Sequence, residues 1–186
     1  MAGSFAARWA TEIGCSAPIV LAERIYRLSH VCPARPAPGS LRRATGEDRQ
    51  LLRAWVLAFR EEALPGVPQP DVDPMVDRLI RGEGRAAYLW EADGRAVSLV
   101  GAGSPTPHGI RIGPVYTPPA ERKRGYASAL TAAVSRQQLE EGRRYCFLFT
   151  DLANPTSNRI YQSIGYEPVT DVNQHRFELG SSPRGT

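Results

Sequence analysis

A basic turn is the part of this sequence whose residue types best suit phosphate binding. Residues 122–127 read Arg-Lys-Arg-Gly-Tyr-Ala, between a predicted strand and a predicted helix. The first turn of a helix has backbone N–H groups without internal partners and a partial positive charge. The small residues Gly125 and Ala127 let that backbone approach a ligand closely. The turn therefore favours a pyrophosphate, although a helix start with solvated arginines has the same pattern.

A second motif begins about 30 residues later, at Asn154-Pro155. Asparagine followed by proline is a typical start of a helix, and Gly165 is placed to end it. Tyr161 lies within that predicted helix. A phenol with a pKa near 10 can donate a proton to a thiolate, because a thiol has a pKa of about 8.5. Packing of an aromatic ring is the other role open to Tyr161.

Together, the two motifs resemble the signatures of the GNAT superfamily of acyl-CoA-dependent N-acyltransferases. Arg122, Gly125 and Ala127 match the phosphate signature of that superfamily, Gln/Arg-x-x-Gly-x-Gly/Ala. Asn154 and Tyr161, followed by a Gly-Tyr pair, resemble its second signature. Two motifs at the expected separation, in the expected elements, make the resemblance specific.

The resemblance extends beyond the two motifs. Residues 115–119, Val-Tyr-Thr-Pro-Pro, are similar to the branch that includes glycine-acyltransferase-like C-terminal domains. The order of predicted elements fits the superfamily from residue 41 to about residue 178. The resemblance implies an N-acetyltransferase that uses acetyl-CoA and no metal. It would acetylate a primary amine, on a small molecule or a peptide, by direct attack on the thioester.

The resemblance also implies roles for individual residues. Val115 and Thr117 would pair with the pantetheine arm of CoA, and Val115 would polarise the thioester carbonyl, as an oxyanion hole does. Tyr161 would protonate the departing CoA thiolate, and Gly113-Pro114 would mark a β-bulge that opens the sheet. The predicted cofactor-binding residues are Val115, Thr117, Arg122, Lys123, Arg124, Gly125, Tyr126, Ala127, Ser128, Asn154 and Ser157.

The general base of the superfamily is missing from its usual place. Several members carry a glutamate about eleven residues before the first residue of the phosphate signature. This chain has Arg111 there, and arginine cannot act as a base. His108, Tyr116, Glu61 and Glu62 are alternative bases, and Arg111 could instead hold a carboxylate of the acceptor. The missing glutamate leaves a second function open, a non-catalytic regulatory module that binds acyl-CoA.

The predicted elements that position these residues form an α/β (α+β) fold. We expect the GNAT fold, with a mixed, mostly antiparallel central sheet, one parallel β-α-β crossover and flanking helices. The apolar run at 145–150, which follows the helix after the basic turn, is typical of a strand covered on both faces. Residues 41–180 are predicted to form the acyltransferase domain, and residues 181–186 a disordered tail.

Residues 1–40 are predicted to be an N-terminal extension, with a proline-rich linker at 33–40. Phe5, Trp9 and Ile13 are spaced i, i+4, i+8, which predicts a helix, and residues 19–28 are a strand candidate. About 40 residues cannot bury a core alone. We therefore expect this segment to pack against the acyltransferase domain, or against a second copy in a homodimer, driven by burial of Trp9 and Phe5.

Composition excludes several other functional classes. The 186 residues carry a formal net charge of +4, and no stretch interleaves basic with aromatic residues, which argues against a nucleic-acid partner. No apolar run approaches the ~20 residues of a membrane span. The three cysteines suit neither a disulfide scaffold nor a zinc site. We therefore expect reduced thiols in a cytoplasmic protein.

Overall fold

A computed structural model of the chain describes residues 2–63, 65 and 70–179. The whole predicted tail at 181–186 lies outside the described residues. The helices are α1 (Ala2–Ile13), α2 (Arg49–Ala63), α3 (Asp73–Arg81), α4 (Tyr126–Glu140) and α5 (Pro155–Ser163). The strands are β1 (Cys15–Ser16), β2 (Ile19–Leu28), β3 (Ser40–Arg43), β4 (Arg85–Ala92), β5 (Arg95–Gly103), β6 (Gly109–Tyr116), β7 (Tyr145–Asp151), β8 (Glu167–His175) and β9 (Glu178–Leu179).

Seven strands form the main sheet, in the order β3-β4-β5-β6-β7-β2-β8. β6 and β7 are parallel, and helix α4 connects them. Every other pair in this sheet is antiparallel. The predicted fold class is therefore confirmed, including the single parallel β-α-β crossover.

Strand β2 lies in the interior of this sheet. It pairs with β7 from Glu23 to Leu28 and with β8 from Ile19 to Arg27. Tyr26 and Leu28 are fully buried in the core. The predicted strand at 19–28 is confirmed. The main sheet thus contains a strand from the segment that the sequence analysis set apart as an N-terminal extension.

Different helices cover the two faces of the main sheet, and we name the faces after them. On the α4 face, α4 and α5 pack on a core that includes Tyr26, Leu130, Leu148 and Ile164. On the α2 face, α2 and α3 pack over β4, β5 and the end of β6, with Leu52, Val56, Val76 and Leu79 buried. Full burial of each such aliphatic side chain contributes roughly 1.5–3 kcal/mol.

An irregular segment, residues 31–38, connects β2 to β3, and we call it the strap. Val31, Ala34 and Ala37 pack against the core of the α4 face. Their spacing of three residues matches the period of a polyproline II helix, which proline-rich segments adopt. The Cys32 N–H donates to the Ile164 carbonyl oxygen at one end, and Trp90 Nε1 donates to the Pro38 carbonyl oxygen at the other. The strap is thereby held on the α4 face at both ends.

Helix α1 forms where the sequence predicts it, but it packs through its opposite side. Ala6 and Ala10 are buried, whereas Phe5, Trp9 and Ile13 are 66%, 45% and 42% exposed. The segment does pack on the acyltransferase domain, through β2 and the alanine side of α1, but the expectation that burial of Phe5 and Trp9 drives this packing is wrong. Small alanines allow the helix to approach strand β8 closely, and the large side chains remain outside. A homodimer through this stripe stays a prediction.

Candidate active site

A slot opens between the parallel strands β6 and β7. In the part of the chain that the structure describes, the two strands pair only where Gly109–Arg111 meets Tyr145–Phe147. Beyond that point, β6 carries two residues, Gly113 and Pro114, opposite the single residue Gly101 of β5. This is the predicted β-bulge, and it turns β6 away from β7. The ends of the two strands thus separate and expose backbone groups on their inner edges.

The backbone of Val115 and Thr117 faces this slot. The Ser98 hydroxyl donates to the Tyr116 carbonyl oxygen over 3.1 Å, so the backbone polar groups of Tyr116 point toward β5. The N–H and C=O of one strand residue point to the same edge, and the next residue points to the other. Val115 and Thr117 therefore direct their N–H groups away from β5, into the slot.

The basic turn leads from this strand into helix α4. Gly125 has φ +85° and immediately precedes the helix, which begins at Tyr126. Among the described residues, no side chain caps the helix start. The N–H groups of its first turn, at Tyr126, Ala127 and Ser128, are thus free to bind an anion. The basic turn thus lies between β6 and helix α4, at the end of the slot.

Ion pairs hold two of the three cationic side chains of the turn. The Arg122 guanidinium makes two bonds to the Glu62 carboxylate, of 2.6 and 2.8 Å, and Nε donates to the Thr117 carbonyl oxygen. Arg124 pairs with Glu121 at 3.2 Å. Lys123 is exposed. The Arg122 side chain thus joins the turn to the end of helix α2, a contact across 60 residues that no sequence motif indicates.

Tyr161 is buried on helix α5, with its ring edge-on to Tyr166 at 6.0 Å between centroids. Burial raises the pKa of the Tyr161 phenol well above its ordinary value. Asn154 begins this helix as predicted, because its side-chain oxygen accepts the Ser157 N–H over 3.0 Å. Asn154 is thus engaged in capping, while Ser157 is half-buried nearby.

The predicted alternative bases differ in their positions. His108 precedes β6 and lies seven residues before Val115, which corresponds to about 20 Å along a strand. Glu62 is paired with Arg122. Tyr116 is buried against Trp55, and burial raises the pKa of its phenol. Glu61 also interacts with the rest of the chain. Distance therefore argues against His108 as the base.

The structure adds a carboxylate pair that sequence reasoning missed. Asp151 ends β7, four residues beyond Phe147, and Phe147 is level with Arg111. Because the bulge adds one residue to β6, Val115 lies three steps along the sheet beyond Arg111, and Asp151 lies one step further, on the other side of the slot. Glu23 of β2 is the direct cross-strand neighbour of Asp151 and is buried. The end of an apolar run could have suggested Asp151, but no local pattern indicates where Glu23 lies.

The described residues contain no group of three or more side chains that could hold a metal ion. None of their helices is long and apolar enough to cross a membrane. Burial raises the pKa of the Cys146 thiol to about 12. That thiol is therefore protonated at neutral pH, which argues against a cysteine nucleophile.

Solved structures with this fold include acetyltransferases. A GNAT-family protein from Novosphingobium aromaticivorans superposes with a TM-score of 0.69, at 20% identity over 90% of this chain and 69% of that one. The acetyltransferase AAC(6′)-Iy, bound to the bisubstrate analogue CoA-S-monomethyl-acetylneamine, has a TM-score of 0.61 at 22% identity. That alignment covers 74% of this chain and 96% of that one. The same enzyme, an aminoglycoside N-acetyltransferase, was also solved in complex with CoA. That structure has a TM-score of 0.61 at 22% identity, and the alignment covers 78% of this chain and 98% of that one.

No curated protein sequence matches the chain. The sequence model described as the acetyltransferase (GNAT) family matches residues 50–166. That match spans the slot, the basic turn and helix α5, and it covers more than half of the 186 residues. The chain therefore belongs to the acetyltransferase (GNAT) family.

Proposed function

We propose that this acetyltransferase transfers the acetyl group of acetyl-CoA to a primary amine by direct attack, with Tyr161 as the general acid. The observation that carries the proposal is the open slot between β6 and β7. The backbone of Val115 and Thr117 faces it, and the start of helix α4 lies at its end. Acetyl-CoA supplies an activated acyl group on a sulfur leaving group.

The N–H groups at the start of α4 would bind the pyrophosphate, which suits the positive end of the helix dipole. The Val115 N–H would donate to the thioester carbonyl oxygen and stabilise the negative charge that develops there. The Tyr161 hydroxyl would donate its proton to the sulfur as the carbon–sulfur bond breaks. Burial keeps that phenol protonated at neutral pH. Because burial raises the pKa of the phenol further above that of a thiol, proton transfer to the thiolate is less favourable than from an ordinary phenol.

We propose Asp151, next to Glu23, as the group that takes the proton of the attacking amine. Its position one step beyond the level of Val115, on the other side of the slot, supports this role, as does the side-chain alternation along β7. Residues 147, 149 and 151 share the face opposite the buried Cys146 and Leu148. A carboxylate there would also attract the ammonium form of an amine.

The direct test is release of free CoA thiol from acetyl-CoA in the presence of a panel of primary amines. Amine-dependent release that Asp151→Asn reduces would support the enzyme and its base. Tight binding of acetyl-CoA without release with any amine would favour the second candidate, a regulatory acyl-CoA-binding module. Arg111 favours this second candidate, because a cationic side chain occupies the position where the superfamily glutamate is expected.

A further inference from the structure

A column of aromatic side chains lies on the α2 face of strand β7. Tyr145, Phe147 and Phe149 alternate with the buried residues of that strand and are each half-buried. Neighbouring rings are in contact, with centroids 6.5 and 6.3 Å apart. Asp151 follows Phe149 on the same face, at the C-terminal end of β7. The column thus leads from the middle of the sheet to the open end of the slot.

Arg111 of β6 lies against this column. Phe147 is its register partner, but its guanidinium carbon is 4.6 Å from the centroid of the Phe149 ring. The Arg111 side chain therefore extends along β7 from the level of Phe147 to that of Phe149, toward the open end of the slot. The guanidinium makes a cation–π contact with that ring, and such a contact leaves its N–H donors available for a ligand.

Arg111 has no carboxylate partner among the residues that the structure describes. Its cross-strand neighbours, Gly103 of β5 and Phe147 of β7, carry no charge. By contrast, Arg24, Arg42 and Arg122 each pair with an acidic side chain. Arg111 is also exposed, so its charge is accessible to an anion from outside the chain.

A second arginine flanks the column on its other side. Arg27 of β2 is the cross-strand partner of Phe147 and is exposed. Glu167 of β8 is opposite Arg27 but forms no ion pair with it within 4.0 Å. This part of the face thus carries two positive side chains, Arg111 and Arg27, and one negative, Glu167, whereas the end at the open side of the slot carries Asp151 and Glu23.

We propose that the α2 face of β6 and β7 binds the acceptor amine, and that Arg111 binds a carboxylate of that acceptor. The inference rests on the proposed acetyl transfer. The guanidinium lies near the level of Phe149, two residues short of Asp151, which corresponds to about 7 Å along the strand. An amine and a carboxylate a few bonds apart, as in an amino acid, fit this separation. The aromatic column offers an apolar surface for its side chain.

The test compares amino acids with the amines that lack their carboxylate. Phenylalanine is assayed beside 2-phenylethylamine, leucine beside isoamylamine, and tryptophan beside tryptamine. Kanamycin serves as a polycationic acceptor. We expect each amino acid to have a kcat/KM at least tenfold above that of its amine, and kanamycin to be poorest. Equal use of an amino acid and its amine would overturn the proposal.

The Arg111→Gln variant removes the charge and keeps a polar side chain. It is expected to raise the KM for the amino acid about 10- to 100-fold, as loss of a charged hydrogen bond does. The KM values for acetyl-CoA and for 2-phenylethylamine should stay unchanged. Arg136→Gln is the matched control, because Arg136 is exposed on helix α4, on the opposite face. An unchanged KM for the amino acid in Arg111→Gln would contradict the proposal.

A binding measurement separates this inference from the proposed function. N-acetylphenylalanine, which has the carboxylate and the ring but needs no turnover, is titrated calorimetrically into the wild type and both variants. Binding that Arg111→Gln abolishes and Arg136→Gln retains would support the anion site even if acetyl-CoA is never consumed. No binding to the wild type, or equal binding to all three proteins, would overturn it.

Discussion

In the proposed mechanism, Tyr161 is the residue on which the chemical step depends most directly. We expect Tyr161→Phe to lower kcat by about 10²–10⁴-fold, because the ring keeps its contact with Tyr166 while the proton donor is lost. The affinity for acetyl-CoA should change little. Rapid-quench kinetics, under conditions where chemistry limits the rate, measure the effect. A variant with the wild-type kcat would show that water or another group protonates the thiolate.

Gly125 is needed at the basic turn for its backbone conformation. Its φ of +85° is unfavourable for a β-branched side chain. An added Cβ would point toward Ala37 of the strap, 3.7 Å away, and so would not by itself block a phosphate. We expect Gly125→Val to weaken CoA binding at least tenfold by displacing the turn. Gly125→Asn should stay within about threefold, because asparagine tolerates a positive φ.

Calorimetric titration of CoA into the folded Gly125 variants is the measurement, and the thermal unfolding midpoint reports whether each variant folds. Equal CoA affinity for the valine and asparagine variants would contradict a role for this conformation.

Residues in local motifs were the most predictable part of the site. The glycine-containing turn, the Asn154 cap and the bulge at Gly113 each depend on neighbours a few positions away, so the sequence indicates them directly. Glu62, Glu23 and Asp151 depend on which distant elements meet. The bond between Arg122 and Glu62 joins residues 60 apart, and no local pattern encodes it.

Among the elements, the strap fixes how β2 is connected to the edge of the sheet. Gly39 follows the strap with φ +111°, and a Cβ there would collide with the Glu91 carbonyl oxygen and lie 2.7 Å from Trp90 Nε1. We expect Gly39→Ala to lower the free energy of unfolding by about 2–4 kcal/mol, from strain and the lost indole bond to Pro38. Urea unfolding of the purified protein measures the change.

Gly46→Ala is the matched control for Gly39→Ala. Gly46 has no positive φ, and an added Cβ meets nothing within 4 Å. Its substitution should change the free energy of unfolding by no more than about 0.5 kcal/mol. Similar losses in both variants would mean that the approach of the strap to Trp90 and Glu91 is not a tight contact.

Most helices and strands were also predictable as elements, because apolar periodicity and turn residues are local. The packing of α1 was not. The spacing of Phe5, Trp9 and Ile13 indicates a helix, but it does not show that the alanine side approaches the sheet. A regular apolar stripe identifies the element, whereas the neighbouring strand decides which side of it is buried.

At the scale of the whole molecule, β2 makes the sheet continuous. Among the described strands, β2 is the one neighbour of β8 in the main sheet, and removal of residues 1–38 would delete it. We expect that truncated protein to lose cooperative unfolding and to aggregate. Removal of residues 1–14 deletes α1 and keeps β2, so that protein should remain folded, with a lower melting temperature. Circular dichroism melts and size-exclusion chromatography distinguish the two.

A cooperative transition after removal of residues 1–38, with an unchanged elution volume, would contradict this role of β2. The position of β2 could not have been predicted from its own sequence. Its apolar and β-branched residues indicate a strand, but its partners β7 and β8 follow more than 100 residues later in the chain.

That separation has a consequence for the order in which the protein forms during translation. β2 leaves the ribosome well before β7 and β8, so Tyr26 and Leu28 stay without their native neighbours while the intervening residues are made. Both edges of the strand can pair with other chains during that interval. Contacts that close so long a loop also form slowly. The nascent protein is thus expected to depend on chaperones until β8 emerges and completes the sheet around β2.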